Sequence, residues 1–131
     1  MGNVDTLRSG YEAFNRGDLD AAMESFAEDI RWENPNASQL RNPGVTEGKD
    51  QVRQAFVEFT QDWDQLNVSA DEFIEQGDTV VVLGHTEGKA KETGREVKLP
   101  FAHVWRFSDG TVERVQTLTD TALAAEALGR I

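Results

Sequence analysis

Strict alternation from Phe101 to Phe107 commits this segment to a β-strand and puts Phe101, His103, Trp105 and Phe107 on one face. Asp109-Gly110 follows, a pair suited to the two positive-φ positions of a type I′ turn, and alternation resumes at Val112. His103 therefore sits mid-strand in a meander, among aromatic rings. An imidazole in such company is either a hydrogen-bonded packing residue or the polar centre of an apolar pocket.

The 131 residues carry no Pro/Ser-rich linker and no shift of composition, so residues 1–131 read as a single domain large enough to bury its own core. The absence of cysteine removes disulfides, thiolate metal sites and cysteine nucleophiles. Two histidines without a His-x-His or Glu-x-x-His pattern argue against a metal site, and no Gly-rich phosphate cradle appears; no cofactor is expected. A net charge of −11 repels phosphate backbones and anionic lipid heads, so neither nucleic acid nor membrane is expected as a partner. Without a basic n-region, an apolar h-region or a membrane-spanning run, the expected location is the cytoplasm.

Val4, Leu7, Tyr11 and Phe14 recur at helical spacing, with Asn3 or Asp5 to cap the start and Gly17 to end it. Asp18 caps a second helix expected to carry Leu19, Ala22, Met23 and Phe26. A short strand, Ile30 to Glu33, leads into a loop punctuated by Asn34-Pro35 and Asn42-Pro43 that runs to Glu47. A third helix opens at Gly48-Lys49-Asp50 and bears the stripe Val52, Phe56, Phe59 and Trp63. From Leu66 to Leu118 the period changes to that of four long strands, with Gly88 to Arg95 read as a solvated hairpin tip. Thr119-Asp120-Thr121 then caps a helix from Ala122 to Leu128. The order is that of an α+β domain whose strongly curved, mostly antiparallel sheet wraps on three N-terminal helices into a cone, with a short C-terminal helix.

Five segments in this order resemble the nuclear transport factor 2-like superfamily, in particular its SnoaL-like and ketosteroid-isomerase-like branches. They are Tyr11-Glu-Ala-Phe-Asn-Arg-Gly-Asp-Leu-Asp-Ala-Ala, Phe26-Ala-Glu-Asp-Ile-Arg-Trp-Glu-Asn-Pro, the Gly48 helix opening, Phe101 through Val112, and Thr119-Asp-Thr-Ala-Leu-Ala. The resemblance implies the cone fold and a homodimer through the outer sheet face, where Val104, Arg106, Val112 and Arg114 are expected. It does not fix the reaction, because one fold hosts many chemistries. The isomerase phenol falls at Gly10, with Tyr11 one position away; its base falls at Asn34, and its carboxyl donor at His103. The carboxylate of a SnoaL-type cyclase falls at Thr117. An Asp-Arg-Asp relay of the epoxide-hydrolase kind is missing, since Arg106 lies opposite His103 by alternation.

Two classes of function stay open. One is a pocket for a small hydrophobic molecule, with His103 and Asn34 as polar centre and candidate catalytic pair. Its walls would be Tyr11, Phe14, Trp32, Phe56, Phe59, Trp63, Phe101 and Trp105, with Thr117 and Thr119 adding hydroxyls. Such a pocket suits cofactor-free proton transfer on a carbonyl compound. The other is a non-catalytic interaction domain in which the same residues simply pack. Asp120 reads as a helix cap first and a catalytic carboxylate second. Glu24, Glu28, Asp29, Glu58 and Asp62 read as solvated surface, and His85 takes a face that alternation does not decide.

Overall fold

The computed structural model describes residues 2–34 and 44–130. The turns at Pro35 and Pro43 lie outside the described residues. Helix α1 spans Asn3–Asn15 and α2 Leu19–Ala22; strand β1 spans Phe26–Glu33 and β2 Val45–Glu47, followed by α3 at Lys49–Gln61. Strands β3 (Trp63–Gln76), β4 (Thr79–Ala90), β5 (Glu96–Ser108) and β6 (Thr111–Thr119) form the meander, and α4 closes the chain at Thr121–Ala127. The described strands make one sheet in the order β2-β1-β6-β5-β4-β3. Its neighbours run antiparallel except β1 and β6, which pair in parallel with Trp32 opposite Val115. This α+β arrangement, helices on one side of a curved sheet, is the cone that the element order implies.

Local chemistry explains most boundaries. Asp109 and Gly110 have φ of 49° and 78°, as a type I′ turn requires. The Asp18 carboxylate accepts from the Ala21 amide at 3.1 Å, and the Asp120 carboxylate accepts from the Leu123 amide at 2.9 Å, so both act as N-caps. The start of α1 differs from expectation: Gly2 is its N-cap and no side chain caps it. At its end the Asn15 amide donates to the Val68 carbonyl and accepts from the Val68 N–H, both at 2.8 Å, which ties α1 to β3 as a strand neighbour would.

Tertiary contacts override the sequence pattern at five places. Phe26, expected on α2, opens β1 because its backbone pairs with Val112 and its ring enters the core. Trp63, expected on the α3 stripe, opens β3 after Asp62 ends the helix. The stretch before α3, expected as loop, contains β2, which pairs with Arg31, Trp32 and Glu33 of β1. Gly88 and Ala90 belong to β4 rather than to a solvated tip, with Ala90 fully buried and Gly88 packed under Trp63. Val112 faces the core, not the outer sheet face. The register shifts between Arg106 and Phe107, so Glu113 is an extra residue: Arg106 still lies opposite Arg114, but Phe107 lies opposite Val112.

The main core joins Leu7, Met23 and Ile30 to Val80, Val82, Val112 and Val115, all beneath the concave face. A second cluster gathers Trp63, Ala90, Ala127 and Leu128, where α4 meets the far ends of β3 and β4. Between the helices and the sheet a space remains.

Candidate functional site

That space is a cavity of about 460 Å³, within the range of sites for small organic molecules. Period-two alternation delivers its sheet wall: Phe101, His103 and Trp105 from β5 stand beside Thr119, Thr117 and Val115 of β6. Trp32 reaches it from β1, Tyr11 and Phe14 from α1, Phe56 and Phe59 from α3, and Trp63 from the start of β3. Asn34 follows β1 at the same end as Thr117. The residues that the sequence offered as pocket candidates thus all line this one cavity.

Its middle is an aromatic cage. Trp32 meets Phe56 edge to face at 4.9 Å and Trp105 at 5.6 Å between ring centroids. Phe101 stacks on His103 at 3.9 Å, with the two ring planes 9° apart. Polar atoms in the cage bond chiefly to one another. The Trp105 indole N–H donates to the Tyr11 oxygen at 3.0 Å, and that oxygen lies 2.7 Å from Nδ1 of His103. His103 Nε2 makes no hydrogen bond to a described residue. Asn34 Oδ1 accepts from the Trp32 indole at 3.3 Å and from the Thr117 hydroxyl, which also lies 3.2 Å from the Glu33 carbonyl. The Thr119 hydroxyl donates to the Pro100 carbonyl at 2.8 Å.

Burial sets the protonation states. It pushes the His103 imidazole down to about 3, so the ring is uncharged at neutral pH. Burial also drives the Tyr11 phenol upward, opposed by its bond from Trp105, and Tyr11 stays protonated. The two carboxylates on the cavity wall belong to α3 and its end: Glu58 is exposed and accepts from Gln54, and Asp62 pairs with Arg130 at 3.4 Å. Asp62 keeps the partly exposed side chain expected of a surface carboxylate and pairs with Arg130 from there. Outside the cavity, Glu33 is held below its usual range by the Arg114 guanidinium, which bonds both its oxygens at 2.9 and 3.0 Å.

Tyr11 is where counting along α1 misleads. One residue from the expected phenol position is a rotation of about 100° on an ideal helix. A Cβ built on Gly10 would stand in ordinary contact with the α2 backbone, 3.5 Å from the Ala22 carbonyl oxygen, while Tyr11 at the next position meets His103. Sequence reasoning also overlooked the end formed by Leu99, Ala124, Leu128 and Arg130. The Ala/Leu face of the last helix was the available signal. His85 lies on the convex face, since its neighbour Thr86 lines the cavity; its two ring nitrogens lie 2.8 Å from Asp71 and 2.9 Å from Glu87. Arg106 also points outward, 3.5 Å from the Thr79 hydroxyl. Among the described residues no group of His, Asp and Glu could hold a metal ion, and no helix is long and apolar enough to cross a membrane.

Comparisons with known proteins agree with this architecture. The sequence model of the SnoaL-like domain matches residues 7–115. An NTF2-like protein of unknown function from Burkholderia pseudomallei is 36% identical, with 98% of each chain covered and a TM-score of 0.89. TerC, co-crystallised with polyporic acid, is 25% identical over 97% of this chain and 98% of its own, with a TM-score of 0.88. A SnoaL-like polyketide cyclase from Jannaschia sp. CCS1 shares the fold at 20% identity, covering 96% of this chain and 90% of its own, with a TM-score of 0.84. No protein of curated function matches the chain.

Proposed function

The chain belongs to the SnoaL-like domain family, and from that premise we propose that it binds a small, ring-bearing carbonyl compound in the cone and polarises its carbonyl oxygen by hydrogen bonding. The observation that carries this reading is an uncharged imidazole set into an aromatic cavity of about 460 Å³. Rings on the walls suit a flat apolar body, and one polar group at the centre suits a single oxygen. His103 would hold the carbonyl and Asn34 would orient the molecule. That TerC, a protein of similar fold, was co-crystallised with polyporic acid supports an organic ligand for this chain. Interior carboxylates of the isomerase and cyclase kind are replaced at the matched positions by Asn34 and Thr117, so the contribution assigned to the protein is charge stabilisation at the carbonyl oxygen.

All three tryptophans line the cavity, which provides the assay. A panel of aromatic and unsaturated ketones titrated against intrinsic fluorescence should give saturable quenching. His103→Ala should weaken the best binder about tenfold while the circular dichroism spectrum is retained. Absence of binding across the panel, or equal binding by the variant, overturns the proposal.

We also propose that a second copy of the chain covers the convex face. There Ile74, Val81 and Val104 form one apolar row and Leu83, Ala102 and Leu118 a second beside it, with Ile74 48% and Leu118 46% exposed.

A further inference from the structure

The proton directions around His103 follow from which groups can donate. An indole has one N–H and no acceptor, so Trp105 must donate to the Tyr11 oxygen. This turns the phenol's own proton away from Trp105. The other polar neighbour of Tyr11 is Nδ1 of His103. If Nδ1 carried the proton, the phenol oxygen would accept twice, and both the phenol proton and the Nε2 lone pair would lack a described partner. If Tyr11 donates to Nδ1, one group remains, the Nε2–H, on a ring that lines the cavity. The second arrangement leaves fewer desolvated polar groups unmet.

We propose that Trp105, acting through Tyr11, fixes His103 as the Nε2–H tautomer, so that the cavity presents its ligand with a neutral hydrogen-bond donor. Trp105 is then a positioning residue and Tyr11 the link. Two consequences distinguish this from a generic pocket histidine. His103 has no lone pair to offer, so it does not take a proton from the substrate; it stabilises negative charge on the substrate's oxygen. The site also selects by hydrogen-bond polarity. The His103 Nε2–H is the donor the cage offers, so a ligand carrying an acceptor is its match, and the Thr117 and Thr119 protons, directed to Glu33, Asn34 and Pro100 oxygens, are not alternative donors. The selectivity rests on the function proposed above, whereas the tautomer is a property of the unliganded protein.

Nitrogen-15 NMR of histidine-labelled protein tests the tautomer directly. The expected spectrum at neutral pH shows a protonated-type signal at Nε2 and an unprotonated-type signal at Nδ1 of His103. The reverse pattern, or two protonated nitrogens, overturns the assignment. Trp105→Phe and Tyr11→Phe should each give a mixture of tautomers; a spectrum unchanged in both excludes the positioning role. Selectivity is read with 2-acetylnaphthalene against 2-ethylnaphthalene, which differ in the carbonyl oxygen. The ketone should bind about tenfold more tightly, with the preference kept in His103→Gln and lost in His103→Ala. Should neither probe bind while the Nε2–H pattern is found, the ligand reading fails and the tautomer stands. Ketone binding alongside the opposite tautomer overturns the proton assignment alone.

Discussion

Gly84 lies so close to Ser69 that a Cβ on it would stand 1.9 Å from the Ser69 carbonyl oxygen. The same Cβ would meet the Phe101 ring at 2.8 Å. The contact falls where β3 shifts register against β4 between Ala70 and Glu72. The missing side chain is therefore the space occupied by the ring that stacks on His103.

Gly84→Ala should destabilise the fold by about 3 kcal/mol or more, since backbone and a packed ring must both move. Chemical denaturation checks this. Gly17→Ala is a useful contrast: it introduces strain at a φ of 81° but no clash, and should cost less. Equal losses at the two sites would contradict the close-approach argument.

Acid should unfold the protein partly through His103. Its folded value is depressed to about 3, below the ordinary 6.5, so the unfolded chain takes up the proton first. The associated stability is fully present above about pH 6.5 and is lost as pH falls toward 3, a span worth on the order of 5 kcal/mol. Glu33, held low chiefly by its bond from Arg114, contributes in the same direction at lower pH. His103→Gln should flatten the stability curve between pH 6.5 and 4.5 in urea melts. A variant curve parallel to the wild type would show that His103 does not carry the slope.

The convex apolar rows should make the protein dimeric in solution. Sedimentation equilibrium is expected to give twice the chain mass for the wild type and the single-chain mass for Leu118→Asp, with far-ultraviolet circular dichroism unchanged. A monomeric wild type would refute the assignment of a second copy to this face.

Legibility in the sequence followed the range of the interactions involved. Local rules gave the Asp109-Gly110 turn, the Asp18 and Asp120 caps and the inward face of β5, because each is decided within a few residues. The bulge at Glu113 turned Val112 inward, and no local pattern signals it; it arises from pairing with β5. The Trp105–Tyr11–His103 chain spans more than 90 residues, and its legible part was the face shared by His103 and Trp105. Tyr11 was legible as a wall residue from the α1 stripe, whereas its bond to His103 depends on how α1 rests against the sheet, a tertiary quantity. Similarly, the pairing of Asp62 with Arg130, which follows α4, joins residues 68 apart and has no local signal.

The parallel pairing of β1 with β6 has a consequence for biogenesis. A ribosome releases Trp32 and its strand some eighty residues before Val115, the residue that lies opposite it. Until then β1 has β2 as its lateral neighbour, and the aromatic wall has no floor. The nascent chain must hold its rings without their final shelter through most of translation, and the interior that would receive a ligand is among the last parts of the molecule to close.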